Sequence, residues 1–229
     1  MKFQLELNID DTFFPMRQSL MLYLRKRFPD LPEFENSFLD SEFAKIEDFI
    51  REHNNGKLIS YRIYDFKNMW WDFGNTEYFT SSPHPGINDF CNAVYNLEGS
   101  IQIISARGRN TIPNYTFENA YEKTKNWLSE FNIKYDNLIL SKDKLSHLLR
   151  LEKELKIPFK ISVNDNLDEL YSHVKALDNL TGILIDRTYN RKETIYEKQG
   201  RIIRVKNFMH AKSMLPLILQ NSCDLTKDL

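Results

Sequence analysis

From residue 87 onward the chain alternates between two hydrophobic periods, and this constrains its fold more than any other feature. Residues 87–97 place apolar side chains at helical spacing, and Gly99 then leads into the strand-like run Ser100-Ile101-Gln102-Ile103-Ile104. Helical stretches 117–131, 145–155, 167–177 and 208–220 are separated by the short β-type runs 138–140, 159–163, 182–185 and 202–205. Strands joined by helices of this length predict an α/β fold with a doubly wound parallel sheet. A further short strand is predicted at the amino terminus, where Phe3, Leu5 and Leu7 alternate with Gln4 and Glu6 before the polar cluster Asn8-Ile9-Asp10-Asp11-Thr12. In open α/β sheets ligands bind beyond the carboxyl ends of strands, so this cluster is a candidate Mg²⁺ or phosphate site. A turn or helix cap built by Asp10, Asp11 and Thr12 explains the same residue types.

The segment between that first strand and residue 83 has a different texture. Met16, Leu20, Leu22, Tyr23 and Leu24 predict a helix stopped by Phe28-Pro29, and a second helix is predicted over 40–52, ending at Gly56. Residues 57–82 then crowd Tyr61, Tyr64, Phe66, Trp70, Trp71, Phe73, Tyr78 and Phe79 together. These rings either pack a small helical insertion or line a pocket in which two or three of them stack on a flat ligand.

With 229 residues, 41% of them hydrophobic and 28% charged, the chain is long enough for one α/β domain with a modest insertion. Its formal net charge of -1 provides no general attraction to duplex nucleic acid or to a membrane surface, so an anionic ligand must be held locally. Cys91 and Cys223 stand far apart, which argues against a zinc site or a disulfide framework and fits a cytoplasmic location. No apolar run approaches the ~18 residues of a membrane span.

Four strand ends carry small polar or charged groups: Asn8, Asp10 and Thr12; then Ser105; then Lys144; then Asn164 and Asp165. Together they offer carboxylates for a hard cation, a hydroxyl with neighbouring N–H groups for an anionic oxygen, and an ammonium for a phosphate charge. Taken one at a time, Ser105 is equally a turn serine, Lys144 a solvated helix-start lysine, and Asp165-Asn166 a helix N-cap.

In this order the motifs resemble those of the haloacid dehalogenase-like phosphohydrolases. Asn8-Ile9-Asp10-Asp11-Thr12 stands for the first motif, Asp-x-Asp-x-Thr, and Ile103-Ile104-Ser105 for the second. Asp143-Lys144 stands for the third and Ser162-Val163-Asn164-Asp165 for the acidic fourth. Within that superfamily the chain resembles the 5'(3')-deoxyribonucleotidases and related phage and bacterial nucleotidases, through Arg25-Lys26-Arg27-Phe28-Pro29, Pro83-His84-Pro85-Gly86-Ile87 and Ile183-Leu184-Ile185-Asp186-Arg187-Thr188-Tyr189-Asn190-Arg191.

The resemblance implies a core of residues 1–12 and 83–229 with a helical cap, residues 13–82, inserted after the first strand. It implies a Mg²⁺-dependent phosphomonoesterase acting on (deoxy)nucleoside monophosphates, with Asn8 at the nucleophile position, Asp10 as general acid and base, and Ser105, Lys144 and the Ala106 N–H on the phosphoryl oxygens. Asn8, Asp10, Asn164 and Asp165 are the expected metal ligands. Arg107 is an expected substrate contact or ion-pair partner, and Phe14, Trp70 and Trp71 are the expected base-stacking rings. The expected partner is a nucleotide or another phosphorylated small molecule, and a homodimer is compatible with this reading.

Asn8 departs from the motif where chemistry is most demanding, because a neutral amide is no nucleophile toward phosphorus. Asn164 weakens the acidic fourth motif in the same way. Two accounts stay open at this level: an aspartate replaced by design to trap a substrate, or a natural pseudophosphatase that binds a phosphorylated ligand without turnover. A protein-interaction module using the aromatic-rich insertion is the third reading.

Overall fold

In the computed structural model, residues 2–27, 72–76, 78–107, 119–191 and 194–224 are described. The predicted helix over 40–52, most of the expected cap, and Trp70 and Trp71 lie outside these residues.

The described residues form a six-stranded parallel sheet of β1 (Phe3–Leu7), β2 (Gly99–Ser105), β3 (Asn137–Leu140), β4 (Phe159–Asn164), β5 (Thr181–Ile185) and β6 (Ile202–Val205). The strand order is β3-β2-β1-β4-β5-β6. The chain therefore winds outward from β1 to β3, returns to the other side of β1, and winds outward again to β6. The crevice between β1 and β4 is the switch point at which such sheets bind ligands.

The connecting helices are α1 (Met16–Arg27), α2 (Ile87–Asn96), α3 (Ala120–Glu130), α4 (Lys144–Leu155), α5 (Leu167–Ala176), α6 (Ile195–Lys198) and α7 (Phe208–Asp224). Every strand and helix expected within the described residues is present, with ends shifted by a few residues. The four-residue α6 and the 3-10 turn Thr188–Asn190 are too short to leave a periodic signal. Along α1, Met16, Leu20 and Tyr23 are buried, whereas Leu22 is exposed.

Two apolar layers sandwich the sheet. One joins Phe3, Leu5, Leu7 and Ile9 to residues of α2, α3 and α7, and takes in Phe13, Phe14, Met16, Leu20, Tyr23, Phe73 and Tyr78 from the described residues between β1 and α2. The other packs Leu148 and Leu151 of α4 and Leu170 and Val174 of α5 against Ile104, Phe159 and Leu184.

The opposite face of β1 is polar yet buried. Gln4, Glu6 and Asn8 alternate with the apolar set, and Lys160, Ser162 and Asn164 of β4 are buried as well, each of the six no more than 5% exposed. Glu6 pairs in register with Ser162, whose hydroxyl donates to its carboxylate at 2.5 Å. His173 of α5 lies 3.2 Å from the same hydroxyl. Burial raises the Glu6 carboxyl to about 8, against the pull of Lys144, and lowers His173 to about 4. A row of buried polar groups thus runs beneath the sheet edge where Asn8 emerges.

Candidate active site

The loop after β1 is held by backbone bonds that give each of its residues a fixed direction. The Asn8 N–H continues the ladder by donating to the Val163 carbonyl at 3.0 Å. The Ile9 carbonyl then accepts from Thr12, Phe13 and Phe14, closing a tight turn anchored by the fully buried rings of Phe13 and Phe14. Asp11 takes the left-handed conformation this turn requires, with φ 55°. The Arg187 guanidinium clamps the loop from outside, donating to the carbonyls of Asp11 at 2.8 and 3.0 Å and Thr12 at 3.2 Å.

Asn8 is thereby set at the centre of a buried network. Lys144, the first residue of α4 and only 4% exposed, donates to Asn8 Oδ1 at 3.0 Å and to Glu169 Oε2 at 2.5 Å. Lys144 is therefore not a solvated helix-start lysine. The helix cap is supplied instead by the preceding residue, Asp143, which accepts from the Ser146 N–H.

On its other side the Asn8 amide nitrogen faces the Asp10 carbonyl (3.1 Å), Thr12 Oγ1 (3.0 Å), Asn164 Oδ1 (3.2 Å) and Asp165 Oδ1 (3.2 Å). Thr12 donates to Asp165 Oδ1 at 2.6 Å, and Tyr189 donates to Asp165 Oδ2 at 2.6 Å. Asn166 rather than Asp165 caps α5, accepting from the N–H groups of Asp168 and Glu169. That leaves Asp165 turned toward the site.

Asp10 points elsewhere. Its carboxylate accepts from Arg107 Nη1 at 2.9 Å and from the Tyr78 hydroxyl. Burial raises its proton affinity, while Arg107 opposes that shift. Arg107 is completely buried among the rings of Phe14, Tyr78, Trp127 and Phe79, at 4.1 to 4.8 Å from their centroids. Of the two roles open to Arg107, the structure shows ion pairing, inside the core rather than at the surface. A substrate contact does not fit its burial. Base stacking by Phe14 is likewise corrected, because that ring lies in the core with Arg107 over its face and Trp127 at its edge.

Ser105 is buried, and its hydroxyl oxygen accepts from the Arg107 N–H at 3.3 Å, as in the turn-serine reading. Its O–H remains a donor at the carboxyl edge of β2, and Ala106 beside it is half-buried.

Glu169, Tyr189, Arg17 and Tyr78 complete the site without having been singled out for it by the sequence. Arg17 binds the Asp11 carboxylate at 3.0 Å and stacks over Tyr189 at 3.8 Å. Burial, reinforced by the nearby Asp165 carboxylate, raises Asp11 to about 7 against the pull of Arg17. Glu169 carried a signal as an acidic residue in the first turn of α5, and Tyr189 belongs to the Asp186–Arg191 run.

The donors around Asn8 do not fit the expected Mg²⁺. A small hard cation needs anionic oxygen ligands. Asp10 is turned away to Arg107, and both oxygens of Asp165 already accept hydroxyl protons. Because Lys144 donates to Asn8 Oδ1, the amide must present N–H groups to Asp165 and to the Asp10 carbonyl. Among the described residues no group of three or more His, Cys, Asp or Glu side chains converges as a metal site.

No protein-family model matches the sequence, and no curated protein matches it. Solved structures match its fold over nearly the whole length. An L-2-haloacid dehalogenase aligns with a TM-score of 0.55 and 10% identity, over 95% of this chain and 100% of that one. A structure described as a predicted phosphoglycolate phosphatase from Haemophilus somnus aligns with a TM-score of 0.60 and 10% identity, over 93% and 97%. CbbY from Rhodobacter sphaeroides, in complex with phosphate, aligns with a TM-score of 0.51 and 16% identity, over 91% and 95%. The chain thus has the haloacid dehalogenase-like α/β fold. No helix among the described residues is long and apolar enough to cross a membrane.

Proposed function

We propose that this chain carries a nucleotidase-type phosphomonoesterase site held in a binding form, taking the phosphoryl group of a small phosphomonoester without hydrolysing it. The observation that carries this reading is the placement of Asn8, with its Oδ1 3.0 Å from Lys144 Nζ and its amide nitrogen toward Asp165. The amide occupies the middle of the switch-point crevice, where a phosphohydrolase of this fold needs an attacking carboxylate, and it has neither the charge nor the free lone pair for attack.

Lys144, the Ser105 hydroxyl and the Ala106 N–H remain as the groups that hold phosphoryl oxygens. Nucleoside monophosphates are the proposed ligand class on the strength of the nucleotidase-like sequence stretches.

A carboxylate at position 8 would restore the negative charge and the free lone pairs that attack on phosphorus needs. Asp10, whose proton affinity burial raises, would supply the proton to the leaving oxygen once released from Arg107 and Tyr78. Mg²⁺ is the cation proposed for that aspartate form, where it would neutralise phosphate charge.

The test is phosphate release from deoxynucleoside monophosphates with Mg²⁺, by this chain and by Asn8→Asp, alongside calorimetric binding. Binding without turnover by this chain, and turnover gained by Asn8→Asp, is the expected pattern. Turnover by the chain itself would overturn the binding-form reading. Absence of both binding and activity from both proteins would overturn the phosphoryl site altogether.

A further inference from the structure

The polar contacts of Asn8 carry one step more, which rests on the reading of this edge as a phosphoryl site. We propose that ligand binding here is independent of any divalent cation, because the Asn8 amide fills the electrostatic place a cation would take.

A side-chain amide has one accepting and one donating end, and its neighbours decide which way it faces. Lys144 is 4% exposed and can only donate, and it lies 3.0 Å from the oxygen. Turning the amide over would set two N–H groups against an ammonium and strip Asn8 Oδ1 of its partner. The nitrogen is therefore committed to the other side, where the Asp10 carbonyl, Thr12 Oγ1, Asn164 Oδ1 and Asp165 Oδ1 stand 3.0 to 3.2 Å away. These oxygens converge on one point, and a group bearing partial positive charge already sits there.

The remaining donors reinforce that arrangement. Thr12 and Tyr189 each place a hydroxyl on a different oxygen of Asp165 at 2.6 Å. Asn190 holds the Asp165 carbonyl at 2.7 Å, so the acidic loop is fixed by protein groups on three sides. A cation entering here would have to displace the amide and both hydroxyls from the Asp165 carboxylate, and buried polar groups left unpaired make such an exchange unfavourable. With aspartate at position 8 the situation reverses. Its second oxygen would face the Asp165 carboxylate, and a cation between them would relieve the repulsion.

The experiment is calorimetric titration of the full chain with inorganic phosphate and with thymidine 5′-monophosphate, in EDTA and in millimolar Mg²⁺. It is paired with Mn²⁺ titration of the chain and of Asn8→Asp, followed by electron paramagnetic resonance, without ligand. Dissociation constants that agree within about twofold between EDTA and Mg²⁺ are expected. Mn²⁺ should be bound by Asn8→Asp at least about tenfold more tightly than by the parent chain. Ligand binding seen only with Mg²⁺, or Mn²⁺ binding by the parent chain as tight as by the variant, would overturn cation independence while leaving the phosphoryl site standing. No ligand binding in either medium would overturn the phosphoryl site and this inference with it. The parent-chain titrations decide the matter even if the variant fails to fold.

Discussion

The guanidinium of Arg107 and the carboxylate of Asp10, 97 residues apart in sequence, meet at 2.9 Å inside a box of four aromatic rings. Tyr78, which lies between β1 and α2 in sequence, closes the pair through its hydroxyl on Asp10 and its carbonyl 3.0 Å from Arg107 Nη2. The proposed acid of the site, the strand end that follows Ser105 and the segment that leads into α2 are thereby held to one another.

Removing the cation from this pair leaves a largely buried carboxylate without its charge partner. Arg107→Met should destabilise the fold by about 3–5 kcal/mol, and adding Asp10→Leu should recover a substantial part of that loss. Urea unfolding of both single variants and the double variant measures the coupling. A loss below about 1 kcal/mol for Arg107→Met would show the pair to be structurally idle.

Lys144 has two jobs that a single substitution separates. Lys144→Met should weaken phosphate binding by at least about tenfold, because the ammonium aimed at the crevice is gone. Its stability should fall by only about 1–3 kcal/mol, because Glu169, with its side chain 34% exposed, can turn to water. Affinity by calorimetry and stability by urea unfolding are the two readouts. Unchanged phosphate affinity would remove Lys144 from the site.

Glu6 predicts a pH dependence whose sign follows from its burial. Its carboxyl is raised to about 8 in the folded chain against 4.5 as the ordinary value. Between these values the folded state holds a proton that the unfolded state has lost, so this contribution to stability is complete below about 4.5 and disappears as pH rises through 8. Glu6→Gln should therefore flatten the decline in unfolding free energy from pH 5 to pH 8. Asp11, raised to about 7, slopes in the same direction, whereas His173, lowered to about 4, slopes the opposite way below about 6.5; both remain in the variant, so the difference between the parent and variant profiles carries the Glu6 contribution. Equal slopes for parent and variant would show that Glu6 is not protonated in the native state.

Gly99 opens β2 where no side chain fits. A Cβ there would lie 2.5 Å from the Phe3 ring and 2.7 Å from Val94 Cγ1. Gly99→Ala should destabilise by about 1–3 kcal/mol, as overpacking does, with the site unaffected because it lies at the other end of the strand. A melting temperature equal to that of the parent chain would show that Phe3 and Val94 can move aside.

The strands were legible because parallel strands buried under helices show as short apolar runs, and the helices because their stripes recur every three or four residues. The carboxyl-edge polar groups were legible as candidates for the same reason: each directly follows a recognisable run. Their individual roles were not. Asp165 and Asn166 are equally good helix caps as residue types, and only the meeting of β4 with β1 sets Asp165 against Thr12. Gln4 and Glu6 alternate as the solvent face of a strand would, yet both are fully buried: Gln4 donates to the Ile157 carbonyl, and Glu6 meets Ser162 and His173. Phe14 was read as a stacking ring and Arg107 as a substrate contact or a surface ion-pair partner, because aromatic and cationic side chains serve those purposes, and the same chemistry built a core box.

What the sequence by itself determined is the alternation of elements, the delivery of polar groups to one sheet edge, and the amide at position 8. Tertiary structure alone decided which of those groups meet. Parallel neighbours in a doubly wound sheet come from distant parts of the chain, so Asn8 finds Lys144 and Asp165 at separations of 136 and 157 residues. Local periodicity carries no information about such partners. The direction in which Asn8 turns its nitrogen follows from Lys144 standing on one side of it and Asp165 on the other.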